Sequence, residues 1–143
     1  MKEMIYSMDV EKRIWLDHGE YKGYEYVIMN LGTHPTAYVG LLPTSFYFAY
    51  NGEKDLYIQA AHGGITYSQD FIIDEDKKKY MNGKWWIGWD YAHLGDYMPW
   101  YDYDFYQKKW TTEEVLEDVK AVIDEIIEME LTINESRSAE SIE

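Results

Sequence analysis

Two short strings hold the residue types in this chain that are best suited to chemistry. Residues 62–67 read His-Gly-Gly-Ile-Thr-Tyr, and residues 85–96 read Trp-Trp-Ile-Gly-Trp-Asp-Tyr-Ala-His-Leu-Gly-Asp. They contain two of the four histidines, half of the six tryptophans and four of the ten glycines. Histidine near aspartate suits hydrogen bonding, metal binding or proton transfer, and glycine lets a backbone approach a ligand closely. The sequence therefore predicts that any specific small-molecule site lies in these strings.

Each string also has an ordinary structural interpretation. Gly63 and Gly64 follow a predicted strand, where their amides suit either an anion-binding nest or a bulge or tight turn. The full phosphate-loop pattern, with its Lys and Ser/Thr, is missing. His93 suits a general base, a metal ligand, or a structural hydrogen bond to a carboxylate that fixes a turn. No zinc-binding helix spacing occurs, so no metal site is predicted. The ligand-binding candidates are His62, Gly63, Gly64, Thr66, Asp90, His93 and Asp96.

An aromatic and acidic stretch follows the second string at residues 100–106. It suits a strand with one buried face, a sugar-binding platform, or a protein-binding edge, since Tyr and Trp are enriched at interface hot spots. Structural packing and a protein interface are the favoured interpretations. The interface candidates in this stretch are Trp100, Tyr101, Asp102, Tyr103 and Asp104.

The elements that must position these residues are mostly strands. Residues 12–31 predict two strands around a polar turn at 17–20. Further strands are predicted at residues 37–42, 56–61, 66–73 and 85–91. Asn51-Gly52 and Asn82-Gly83 are hairpin signals. Because no helical pattern separates the strands, the sequence predicts an α+β fold, an antiparallel β-sheet with one C-terminal amphipathic helix packed on a face.

That helix has the clearest pattern in the chain. Thr111 to Glu114 match a capping box, and apolar residues from Val115 to Ile127 repeat at helical spacing. The opposite face is acidic, which indicates a solvated face or a surface that imitates a row of phosphates. The interface candidates on the helix are Glu117, Asp118, Asp124 and Glu125. We expect one domain over residues 1–131 and a disordered acidic tail over residues 132–143.

Composition narrows the classes of function. The chain has 143 residues and no cysteine, which excludes disulfides, thiolate catalysis and zinc–thiolate sites. Its net charge of −14 disfavours direct binding to nucleic acid or to an anionic membrane, because both need Lys and Arg. We expect a soluble protein of the cytoplasm, without a signal peptide or a membrane span. No cofactor is predicted, and the sequence leaves the oligomeric state open.

The two strings resemble a family of short, uncharacterised phage and prophage proteins. That family carries an HGG[L/I]TY string, then a WWxG[FW]DxAHxGD string, then a C-terminal helix. Residues 62–67 and 85–96 match these strings, and Tyr38-Val39-Gly40 followed by Pro43 is also similar. The resemblance covers residues 38–130. It departs at Tyr91, where the family often has cysteine, and between Pro43 and Gly52, where the family's His-Pro pair is missing. The resemblance implies a phage-encoded protein that acts in the host cytoplasm, with no established activity.

Two functional hypotheses follow. The first is a non-enzymatic phage accessory protein that binds a host protein, such as a defence or nucleic-acid-binding protein, through its acidic and aromatic surface. The second is a site that binds or hydrolyses a nucleotide or other phosphorylated ligand, built from the His, Asp and Gly residues of the two strings. The first is favoured because the sequence has no complete catalytic pattern. The second requires the two strings to meet in space.

Overall fold

A computed structural model provides the structure of the chain. It describes residues 1–8, 12–45, 47–48, 57–100 and 106–141, with backbone alone for residues 137–141. The elements are β1 (Ile14–Tyr21), β2 (Tyr24–Asn30), β3 (Pro35–Leu41), β4 (Tyr67–Gln69), β5 (Ile72–Ile73), β6 (Lys79–Tyr80), β7 (Trp85–Asp90) and α1 (Thr112–Ser141). Among these described residues, no helix is both long and apolar enough to cross a membrane.

Five of the strands form one antiparallel sheet. Its order is β1-β2-β3-β7-β4, and β5 pairs with β6 as a separate hairpin. β7 lies between β3 and β4 and pairs with both. With α1 packed on the sheet, the predicted α+β fold is confirmed.

The first hairpin turns later than the sequence predicts. Residues 17–20 lie inside β1, and the chain turns at Lys22 and Gly23, whose φ angles are 50° and 87°. Tyr21 pairs with Tyr24 across this two-residue loop. Two central residues with positive φ match the twist of the flanking strands, so the turn forms here. The predicted turn at 17–20 is therefore wrong.

Both faces of the sheet are covered. On one face, Leu16, Ile28, Val39 and Trp89 pack against the apolar stripe of α1. On the other face, Val27, Met29 and Trp86 pack against Ile72 of the β5–β6 hairpin. The alternation of side chains along β7 therefore sends Trp86 and Trp89 into different cores.

The helix begins as the sequence predicts. The Thr111 amide donates to Glu114 Oε1, and the Glu114 amide donates to Thr111 Oγ1, which completes the capping box. The predicted apolar stripe is buried on the sheet, with Val115, Val119 and Ile123 fully enclosed. The helix continues to Ser141, through most of the segment for which the sequence predicts a tail.

Two other predictions differ from the structure. Residues 57–61 form a turn rather than a strand, and the Ala61 amide donates to the Ile58 carbonyl. Asn82-Gly83 joins β6 to β7, which lie in different sheets, so it does not close a hairpin. Asn51-Gly52 lies outside the described residues.

Candidate functional site

The two strings meet at one end of the sheet. The first string occupies the turn that leads into β4, and the second comprises β7 and the turn that follows it. Because β4 pairs with β7, the ends of both strings are held side by side. His62 and Asp96, 34 positions apart in sequence, are in direct contact there. The central requirement of the small-molecule hypothesis, that the strings meet in space, is satisfied.

Asp96 is the hub of this site. It is only 4% exposed, and His62 Nε2 lies 2.8 Å from its Oδ2 atom. The His93 amide donates to the same oxygen at 3.0 Å, and the Trp110 indole donates to Oδ1 at 2.8 Å. Three donors therefore surround a buried carboxylate, which compensates for its loss of water.

His62 is held in a box of rings. Its imidazole stacks on Tyr91 with a centroid separation of 4.7 Å and an interplanar angle of 8°. Trp110 packs edge-on at 4.9 Å, and His93 at 5.5 Å. The His62 side chain is 27% exposed. Since Nε2 faces Asp96, Nδ1 is the ring nitrogen left for proton exchange with a ligand. A histidine oriented by a carboxylate is the arrangement used for general acid–base catalysis.

A second hydrogen-bonded chain lies behind the box. Trp89 Nε1 donates to the Tyr91 hydroxyl at 3.1 Å, and that hydroxyl donates to Asp118 Oδ2 of α1 at 2.7 Å. Burial raises the pKa of Tyr91 well above its ordinary value, so this phenol stays protonated. Burial also raises the pKa of Asp118, although the Tyr91 hydrogen bond opposes this shift. This chain ties the helix to the end of β7.

His93 and Asp90 lie at the rim. His93 Nε2 is 3.3 Å from Asp90 Oδ1, but the contact lacks hydrogen-bond geometry and becomes an ion pair only if the histidine is protonated. Gly63 passes directly under this ring, because a Cβ atom at Gly63 would lie 2.1 Å from His93 Nε2. With φ at +71°, Gly63 also adopts a conformation that disfavours other residues. Gly63 thus permits the close approach of the two strings.

The remaining ligand-binding candidates are used by the backbone. The Gly64 amide donates to the Ala61 carbonyl at 2.9 Å, and the Thr66 amide donates to the Gly88 carbonyl at 2.9 Å. Neither amide points to an anion in this conformation, so the structure favours the turn over the phosphate nest. No group of three or more His, Cys, Asp or Glu side chains in the described part of the chain is arranged to hold a metal ion.

The acidic candidates on the helix are mostly engaged inside the protein. Asp118 accepts from Tyr91, Asp124 pairs with Lys22 at 2.8 Å, and Glu125 accepts the amides of Gln59 and Ala60. Glu117 is largely exposed, with Lys120 at 3.8 Å. Three of the four predicted interface acids therefore stabilise the fold.

The aromatic candidates are only partly described. Trp100 is 45% exposed, whereas residues 101–104 lie outside the described residues. Two further large apolar side chains are exposed close by, Leu94 at 81% and Tyr106 at 84%. Hydrogen bonds between the 95–97 segment and Lys108 hold their two segments side by side.

Trp110 is the site residue that the sequence did not predict. It donates to Asp96, packs on His62 and Tyr91, and lies under the Lys108 ammonium at 3.9 Å. The only sequence signal is its position just before the capping box, where an apolar residue often packs against the helix start.

Comparisons with protein families, with curated proteins and with solved structures find no match for this chain. The resemblance to the phage family stays a prediction that rests on residues 62–67 and 85–96.

Proposed function

We propose that this chain is a phage-encoded accessory protein that binds a host protein in the host cytoplasm. The observation that carries the proposal is the exposure of Leu94, Trp100 and Tyr106 on segments that the Asp96–Lys108 bridge holds together. Large apolar side chains grouped on a surface mark interaction sites more often than solitary ones do. The strong negative charge of the chain favours a basic partner, and steers its approach.

The surface that we propose differs from the one that the acidic helix suggests. Most helix carboxylates are already hydrogen-bonded within the protein, so their desolvation by a partner would break internal contacts. Leu94 and Tyr106 make no such demand, because burying an exposed apolar side chain is favourable by itself. The aromatic part of the surface therefore supplies affinity, and the net charge supplies steering.

The test is capture of partners from host lysate with wild-type protein and a Leu94→Ser, Tyr106→Ser variant. Leu131→Ser is the matched control, because Leu131 is also exposed, at 57%, but lies on the helix. We expect a partner that dissociates at high salt, is lost with the double variant and is retained by the control. Unchanged capture by the double variant, or no salt-sensitive partner at all, contradicts the proposal.

A second candidate function is favoured by one observation, the convergence of His62, His93 and Asp96. In this proposal the site binds or hydrolyses a small molecule, with His62 as the proton carrier and Asp96 as its orienting partner. A nucleotide or other phosphorylated ligand is the class first tested. A thermal-shift screen of wild type and His62→Ala against nucleotides with divalent cations measures it. A ligand-dependent rise in Tm that the variant loses supports this function, and the same rise in both proteins contradicts it.

A further inference from the structure

A cavity separate from the His62–Asp96 site lies between the first strand and the β5–β6 hairpin. Its volume is about 630 Å³, within the range of pockets that hold small molecules or single side chains. It shares no lining residue with the His62–Asp96 site. The lining residues on which the argument depends are Trp15, Asp17, Asp74, Glu75, Asp76 and Tyr80.

Aromatic rings form one side of the cavity. The Trp15 ring packs edge-on against Tyr80, with centroids 5.7 Å apart, and tilts against His18 at 5.5 Å. The two strands that carry Trp15 and Tyr80 belong to different sheets, so these ring contacts fix the width of the opening. Indole and phenol faces attract cations, and the attraction is strongest for Trp.

Carboxylates form the other side, and the backbone holds three of them in place. Asp74 Oδ1 accepts the amides of Asp76 and Lys78, and Glu75 Oε1 accepts the Trp15 amide. Asp17 Oδ2 accepts the Tyr26 hydroxyl at 3.0 Å. Each of these contacts uses one oxygen, and a carboxylate has about four acceptor positions. The acids are therefore positioned without being saturated.

Two observations independent of the acids indicate what the cavity takes. The Lys2 ammonium, itself part of the lining, lies 3.6 Å from Glu75 Oε1, so an alkyl cation of the chain already lies at the carboxylates. That pair is loose and exposed on both sides, so a better cation can displace it. In addition, the Trp15 indole Nε1 is buried without an acceptor among the described residues. A ligand that carries a carbonyl beside its cation supplies one.

We propose that this cavity binds an alkylguanidinium group, the group at the end of an arginine side chain. Four carboxylates against one lysine ammonium give the lining the charge that a cation needs. A planar guanidinium stacks on aromatic rings and forks its five N–H donors between carboxylates, which an ammonium cannot do. The proposal does not depend on the proposed function, since the ligand is defined by its chemistry alone.

The test is titration of the full chain, followed by calorimetry and by the Trp15 resonance in NMR spectra. The probes are agmatine, a short peptide with one arginine, and the same peptide with citrulline, which is neutral but nearly the same shape. We expect the arginine peptide to bind at least about tenfold more tightly than the citrulline peptide, the loss expected for one charge-assisted contact. Asp76→Asn should weaken binding by a similar factor. Glu20→Gln, on the same strand but outside the lining, should not.

The outcomes separate the sources of the group. Equal binding of agmatine and the arginine peptide assigns the site to free guanidinium compounds, and preference for the peptide assigns it to an arginine of a protein segment. Equal binding of the arginine and citrulline peptides overturns the proposal. So does the absence of saturable binding by either guanidinium probe at millimolar concentration, or weakening by Glu20→Gln that matches the weakening by Asp76→Asn.

Discussion

Replacement of Asp96 by alanine is the sharpest test of the site's architecture. The carboxylate is 4% exposed and accepts from His62, the His93 amide and Trp110. The variant leaves these three donors without an acceptor in a region of little water. A hydrogen bond to a charged group contributes about 1.5–3 kcal/mol, but the half-exposed His62 can turn to solvent. We therefore expect a loss of about 4 kcal/mol in the free energy of unfolding.

Urea unfolding followed by tryptophan fluorescence measures this loss, and thermal unfolding followed by circular dichroism provides an independent value. For a domain of this length, about 4 kcal/mol corresponds to a fall in Tm of about 12 °C. Trp110→Phe is the matched variant, because it removes one donor and keeps the ring. It should cost about 1–2 kcal/mol, and much less in the Asp96→Ala background, since its acceptor is then gone.

A loss of about 1 kcal/mol or less for Asp96→Ala would refute the reasoning, because that is the cost of a typical surface substitution. Full additivity of Asp96→Ala and Trp110→Phe would also refute it. Either result would mean that the carboxylate is not shared by the two segments, and the convergence of the strings would lose its physical basis.

Two further predictions concern neighbouring positions. Gly63→Ala should cost about 3 kcal/mol, because the new Cβ must displace His93 and the positive φ is strained, whereas Gly64→Ala, with open space around it, should cost about 1 kcal/mol. Comparison of the two in urea isolates the contact with the ring, and equal losses would contradict it. Asp118→Asn keeps an acceptor for Tyr91 and removes a charge whose burial raises its pKa. Because a raised folded-state pKa makes the wild type lose stability as pH rises above about 4, the variant should gain on the wild type between pH 4 and pH 7. A difference that does not change with pH contradicts this.

The parts of the fold that follow from local patterns were predictable. The capping box, the apolar stripe of α1 and strand β7 all carry their signals within a few residues. The two errors arise where a distant or subtler interaction decides. Residues 17–20 look like a turn, but the paired positive φ angles at Lys22 and Gly23 set the hairpin instead. Residues 57–61 look like a strand, but Glu125 of α1 accepts two of their amides and stabilises a turn.

The site shows the same division. The residue types of the two strings identified His62, His93 and Asp96, yet the sequence could not say which carboxylate His62 would meet. That choice depends on the register of β4 against β7, a long-range pairing with no local signal. Trp110 could not be found because an isolated tryptophan before a helix cap is as often packing as function. The engagement of the helix acids was equally hidden, since an exposed and a paired carboxylate read alike in sequence.

The internal use of the helix acids changes how the net charge of this protein should be understood. Asp124 and Glu125 bind groups on β1 and on the turn before β4, and Glu130 accepts from Tyr24 and Ser45. These carboxylates fasten the helix to the rim of the sheet at several separate points, in a domain whose loops are long. Such contacts fix position more than they add stability, since exposed pairs contribute little. The acids that remain for a partner on the described helix lie on its outer side, among them Glu113, Glu117 and Glu128. A partner that recognised charge alone would meet these few groups, and this is the physical reason to look for recognition at the exposed rings and in the Trp15 cavity.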